Sequence, residues 1–277
     1  MSSPAPLRGI HYVMGTLLEI TLCHEPREEG KRILAGCFQE ARRLDAIFSA
    51  HDDDSDLNRL NRHADLGPVA IDPELWSALK TALSLGRATD GAMDITIGPL
   101  IDLWSAAEEQ GTMPSPTLLT EALDRTGIAE VQLLSNGRAE LRRAGMRLDL
   151  GGIGKGYAVD RLSAILAQEG VARAFINFGR SSLRAVGSLP EREGWPVLLA
   201  SGEGTPIGLA HLKDQFLSVS ETFGHCFEIG ETRVSHLIDP RDGSPLRRYS
   251  LALAVARTAT EAEALTKAMT ILDGAQG

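Results

Sequence analysis

The sequence predicts an α+β fold, on three observations. Strand-like and helix-like spacings of apolar residues both occur along the 277 residues. They mix without a regular strand–helix–strand alternation, which disfavours a doubly wound parallel sheet. At 43% hydrophobic and 23% charged residues, the chain also has the composition of a globular protein long enough to bury a core. Length allows one or two domains. We expect a single unit over residues 1–277, divisible into subdomains near 1–145 and 146–277.

The elements follow in order. Thr16–Leu22 (TLLEITL) alternates in part and reads as a strand. Over Glu28–Phe48, apolar residues at 33, 34, 37, 38, 41, 44, 47 and 48 recur at helical spacing. Pro73–Thr89 repeats that signal with Leu75, Leu79, Ala82, Leu83 and Leu85. Ile97–Trp104 reads as a turn running into a short helix. Met146–Leu150 reads as a short strand, and Tyr157–Gln168 as a helix with Val159, Leu162, Ile165 and Leu166 inward. Phe175–Phe178, Pro196–Ala200, Phe216–Val219 and Leu251–Ala256 read as strands, and Thr260–Leu272 as a final helix.

Charge and composition exclude several classes. With 28 basic and 37 acidic residues the net charge is −9. Such a surface repels phosphate backbones, so no nucleic-acid partner is expected. No stretch reaches the roughly 18–20 apolar residues of a membrane span. Met1–Met14 has no apolar run and does not read as a signal peptide. Cys23, Cys37 and Cys226 form no CxxC and read as free thiols. Together these features predict a cytoplasmic protein.

Four segments hold candidate chemistry. Leu148–Asp160 (LDLGGIGKGYAVD) is a strand, a glycine-rich turn and a helix. Glycines let a backbone approach a ligand closely, and helix amides favour phosphate. The spacing matches neither a P-loop nor GxGxxG, so a tight structural turn competes evenly with a nucleotide cradle. In Asp90–Leu100, Asp94 and Thr96 share a side of an extended segment, although turn and cap chemistry explains them as well. In Val234–Leu246, Asp-Pro-Arg-Asp-Gly is a turn, and His236 is a natural general base or a structural histidine. On the last helix, Glu263 and Lys267 are i and i+4, the spacing of a surface ion pair. The acidic run Asp52–Asp56 lacks the Gly and Glu of an EF-hand and reads as a solvated turn. Tyr12 and Tyr157 are the ring-stacking candidates, each also a candidate for the core.

In this order, the segments resemble the ApbE family, the FAD:protein FMN transferases. Met14-Gly15-Thr16 is similar to the family's M-G-T. Phe48–Asn61 is similar to F-S-x-Y-x-x-x-S-E-x-x-x-L-N, and Gly91–Leu100 to G-x-F-D-x-T-x-G-P-L. Asp149–Asp160 is similar to D-L-G-A-I-A-K-G-Y-A-V-D, and Ser235–Gly243 to S-H-I-I-D-P-R-T-G.

The resemblance implies a T-fold-like arrangement of mixed sheets with packed helices, the two subdomains sharing one nucleotide site. It implies an enzyme that splits FAD, attaches FMN through a phosphoester to a Thr or Ser of an acceptor protein, and releases AMP. A homologue that binds flavin without transferring it, as a carrier, regulator or redox subunit, is the alternative. FAD and Mg²⁺ are the implied cofactors, and an acceptor flavoprotein the implied partner. Carried over by position, His236 deprotonates the acceptor hydroxyl. Met14, Gly15, Thr16, Asp94, Thr96, Gly152, Lys155, Tyr157, Asp160, Ser220 and His236 line the flavin nucleotide pocket. The carbonyl of Gly152 and the side chains at 263 and 267 fall at the metal positions.

The chain departs from the pattern in places. Glu263 and Lys267 stand where the family has Asp and Thr, and a protonated lysine has donors but no acceptor. Lys267 is therefore expected to replace part of the magnesium charge, paired to Glu263 and pointing at a phosphate. Gly179-Arg-Ser-Ser182 stands for G-G-[DE], and Ser220-Glu221 for S-G. The family's N-terminal lipoprotein cysteine is absent from this sequence.

Overall fold

A computed structural model describes residues 6–24, 26–190, 192–201, 204–224 and 226–272. The first five residues of the Met1–Met14 segment lie outside them. The chain opens with β1 (Leu7–Val13), β2 (Thr16–Leu22), α1 (Arg27–Phe48) and α2 (Asp56–Arg62). β3 (Val69–Ala70), α3 (Pro73–Ala88), α4 (Gly98–Gln110) and α5 (Pro116–Leu123) follow. A 3₁₀ turn at Ile128–Glu130 leads to β4 (Val131–Leu134), β5 (Arg138–Leu141) and α6 (Gly154–Gln168). Next come β6 (Ala174–Phe178), β7 (Ser182–Val186), β8 (Trp195–Ala200), β9 (Pro206–Leu212) and β10 (Phe216–Glu221). β11 (Cys226–Ile229), β12 (Thr232–Ser235), β13 (Leu251–Ala256) and α7 (Ala259–Leu272) complete the chain. The fold is mixed α+β, as the spacing of apolar residues predicts.

Two compact units interleave along the sequence. One comprises Met1–Asp45, Ile153–Ser220 and Leu253–Thr266; the other comprises Ala46–Gly152, Glu221–Ala252 and Lys267–Gly277.

The first unit is built on a sheet of order β1-β2-β6-β7-β10-β13. β1 and β2 form a hairpin in which Val13 faces Thr16. The two linking residues, Met14 and Gly15, both have positive φ (49° and 70°). That is the two-residue turn whose twist matches the strands. Leu18, Ile20 and Leu22 of β2 and Ile176 and Phe178 of β6 are fully buried. Helix α1 buries Ile33, Cys37, Phe38, Ala41 and Leu44, the stripe that the 3.6-residue spacing predicts. A β-carbon at Gly9 of β1 would lie 2.5 Å from Phe38 Cε2, so only glycine lets β1 approach α1. Desolvation pushes the Cys37 thiol up to about 12, with a smaller push from Glu169, and so makes it unreactive at neutral pH.

In the second unit, β3, β5 and β4 form one antiparallel sheet and β11 and β12 a hairpin. Leu100, Trp104, Ala107, Ala122, Ile229, Val234 and Ile238 make a core among α4, α5 and the β11–β12 ribbon. Ser55 caps α2 by accepting from Asn58 N, and Asp72 caps α3 by accepting from Glu74 N. The Asp52–Asp56 run is therefore partly a helix cap, and its first three aspartates are exposed.

Four expectations change. Met146–Leu150 is extended but is not a strand; Arg147 makes a single parallel bridge to Ile97. Helix α6 starts at Gly154, three residues before Tyr157; both glycines of its first turn are buried, and Gly156 packs against Ala259, which a propensity scale does not include. Helix α4 runs on to Gln110, well past Trp104, and ends on Gly111 with φ 62°. Tyr12 is 73% exposed on the hairpin, whereas Tyr157 is buried.

Candidate functional site

Within the first unit, the chemistry gathers around the buried carboxylate of Glu263. This side chain is fully inaccessible to solvent. Its Oε2 accepts from Gly156 N at 2.8 Å, in the first turn of α6. Its Oε1 accepts from the Ser182 hydroxyl on β7. Lys155 Nζ lies 3.7 Å from Oε1. Two hydrogen-bond donors and a nearby ammonium thus surround one carboxylate, as a buried charge requires. Glu263 is buried, and not the surface residue that the expected surface pair with Lys267 requires. The reason is that the helix face carrying Glu263 is covered by α6 and β7.

Lys155 runs past Gly179, the turn residue between β6 and β7. Gly179 has φ 62°, and a β-carbon there would lie 2.9 Å from Thr16 Cγ2 and 3.5 Å from Lys155 Cδ. Thr16, Gly179 and Lys155 therefore converge on one spot of this unit. Nearby on α7, Thr266 Oγ1 contacts Ser220 Oγ at 2.9 Å and Ser218 Oγ at 3.4 Å. It also donates to the Glu263 carbonyl. All three hydroxyl residues are buried.

Asp160 serves the same helix from a different side. Its carboxylate accepts from Ala259 N at 2.7 Å, Thr260 N at 3.0 Å and the Thr260 hydroxyl. It thus caps α7 across the unit, a role that its place near the glycine-rich turn does not reveal. Burial raises its pKa, which these hydrogen bonds oppose. Gly156 has a packing role: a β-carbon would meet Ala259 O at 2.7 Å. Of the two readings of the glycine-rich turn, the structural one explains Gly156.

In the second unit, Thr96 donates to Asp94 Oδ1 from both its amide (2.7 Å) and its hydroxyl (2.6 Å). The Thr96 hydroxyl in turn accepts from Gly127 N. Burial raises the Asp94 carboxyl above its usual range against these bonds. Gly98 opens α4 where a β-carbon would sit 2.4 Å from the Arg147 carbonyl. Asp149 accepts from Gly151 N and folds the glycine turn back on itself. The stem of Lys267 lies along that turn, with Cδ 4.0 Å from where a Gly152 β-carbon would be.

His236 sits between two anchored neighbours. Ser235 is fully buried, its hydroxyl donating to the Thr222 carbonyl at 2.5 Å and accepting from Leu237 N at 2.9 Å. The following turn closes through Gly243 N to Asp239 O, and Trp104 Nε1 donates to Gly243 O at 2.9 Å. The imidazole is half-buried on a fixed backbone.

Among the described residues, no group of three or more His, Cys, Asp or Glu is placed to hold a metal ion. The sequence reading missed Ser182 and Ser218 as polar partners. Small hydroxyl residues at inward strand positions were the only signal.

A family model described as the ApbE family matches residues 14–277. The chain belongs to the ApbE family. Among curated relatives, the FAD:protein FMN transferase of Salmonella typhimurium is 28% identical over 268 residues, covering 94% of this chain and 76% of the relative. An ApbE protein from Thermotoga maritima, known by crystal structure, superposes with a TM-score of 0.88 at 27% identity. The match covers 98% of this chain and 88% of that one. Flavin Transferase ApbE from Vibrio cholerae superposes at 0.84 with 21% identity, covering 97% and 87%. The α+β fold of this ApbE chain is thus that of solved flavin transferases. Among the described residues, no helix is long and apolar enough to cross a membrane.

Proposed function

We propose that the chain transfers FMN from FAD to a Ser or Thr hydroxyl of an acceptor protein and releases AMP. What carries this reading is the family match over residues 14–277, which contains every segment quoted above. In the reaction, the hydroxyl oxygen attacks the phosphorus on the FMN side of the pyrophosphate. A new P–O bond forms, the P–O bond to AMP breaks, and AMP leaves with the bonding electrons. The hydroxyl proton passes to the His236 imidazole. A histidine suits this step because its ordinary pKa lies near neutrality. The anchored Ser235 and Leu237 backbone holds its position.

We assign flavin nucleotide binding to the hairpin turn at Met14, Gly15 and Thr16, to Lys155, to Gly152, to the Asp94–Thr96 pair and to Ser220. Asp160 and Tyr157 act behind these residues, one capping α7 and the other packed in the core. The three free cysteines suit a reducing compartment such as the cytoplasm.

The residues present do not fit the magnesium ion that the resemblance implies. Magnesium needs hard acceptor oxygens in near-octahedral geometry. Both Glu263 oxygens already accept from protein donors. Position 267 offers an ammonium, which has donors only.

The test is AMP release from FAD, followed by chromatography. His236→Ala should lower the rate about 10²- to 10⁴-fold, the usual contribution of a positioned general base. An unchanged rate would remove His236 from the proton transfer.

A further inference from the structure

We propose that this chain handles FAD without a divalent ion, with Lys267, whose stem passes Gly152, supplying the positive charge that faces the pyrophosphate. This rests on the flavin-transferase reading above.

Three observations carry it. The lysine stem passes Gly152, its Cδ 4.0 Å from where a Gly152 β-carbon would be. A lysine there brings three donors to a backbone turn whose carbonyl would otherwise be a metal ligand. A divalent ion at that spot would meet an ammonium at close range, and the repulsion would disfavour it.

Glu263 supplies the second observation. A carboxylate that ligates a metal must turn its lone pairs outward. Here one Glu263 oxygen accepts from Gly156 N and the other from the Ser182 hydroxyl inside the first unit, with Lys155 Nζ 3.7 Å from the latter. Glu263 is a structural acceptor in this chain, and its longer side chain reaches the α6 amide. Charge is the third observation. The chain carries a net charge of −9, which repels a dinucleotide, so a local cation has to offset the pyrophosphate.

The experiment is FAD binding to the purified protein by quenching of flavin fluorescence, once with EDTA and once with excess magnesium chloride. The dissociation constants should agree within about twofold, and Lys267→Met should weaken binding about tenfold in both buffers, the scale of one charge-assisted contact. Lys267→Arg should restore most of the affinity. Because a variant can fail to fold, the wild-type protein is also titrated with Mn²⁺ alone and read by electron paramagnetic resonance. No stoichiometric Mn²⁺ site is expected. Magnesium that tightens FAD about tenfold or more, a stoichiometric Mn²⁺ site, or a Lys267→Met protein with unchanged affinity would each overturn the proposal. No FAD binding in either buffer would instead sink the transferase reading, and this inference with it.

Discussion

Glu263 concentrates the argument at the residue scale. A fully buried carboxylate is tolerable only when donors surround it, and Gly156, Ser182 and Lys155 do so. Removing it would strand those donors. Glu263→Ala should therefore destabilise the fold by about 3 kcal/mol, in the range for breaking a buried charge cluster. Urea denaturation measures this, and a loss below about 1 kcal/mol would mean that the cluster reorganises freely. Asp160 permits a pH test. Its folded pKa is raised, first by desolvation. A protonated carboxyl thus favours the fold. That contribution is complete below the ordinary value of 3.8 and is lost as pH rises through the higher folded value. Relative to Asp160→Asn, the wild type should lose melting temperature as pH climbs through this window. A flat or opposite trend would show that the hydrogen bonds from Ala259 and Thr260 outweigh burial.

At the scale of elements, two glycines make opposite predictions. Gly156 in α6 faces the Ala259 carbonyl at the start of α7, where a β-carbon would come within 2.7 Å of backbone. Helix propensity favours alanine by about 1 kcal/mol. Overpacking against rigid backbone costs about 1–3 kcal/mol and should win, so Gly156→Ala lowers the melting temperature. Gly36 lies inside α1 with nothing within 4 Å of its β-carbon position. Gly36→Ala should raise stability by up to about 1 kcal/mol. Calorimetry on both variants checks the pair, and a shared sign would contradict the packing account.

These elements also mark how far the sequence could be read. The long helices α1 and α3 were legible because each buries one stripe at 3.6-residue spacing, whereas α7 is buried nearly all round. Strands β2 and β13 were legible from runs of apolar residues. Met146–Leu150 was misread because an apolar run does not say whether a neighbour is free to pair along its length. The burial of Glu263 was not legible at all. Its partner Ser182 is 81 residues away, and the i, i+4 spacing to Lys267 pointed to the surface. Tyr12 fails for the same reason: a hairpin's exposed face depends on what packs on its other side. Motif residues such as Asp160 were found by resemblance, but their helix-capping role appears only in tertiary structure.

For the molecule as a whole, the chain belongs to the ApbE family and is built of two units interleaved along the sequence. Lys155 and the hairpin turn belong to the first unit, and His236 and Lys267 to the second. The central claim is the splitting of FAD. The most direct measurement incubates the purified protein with FAD and EDTA, with and without a protein extract as a source of hydroxyl acceptors. AMP and flavin are then followed by chromatography, beside a His236→Ala control. The expected result is AMP release in the presence of EDTA, matched by FMN that is either free or protein-bound, and slowed at least about 10²-fold in the control. FAD that stays intact in every mixture would contradict it.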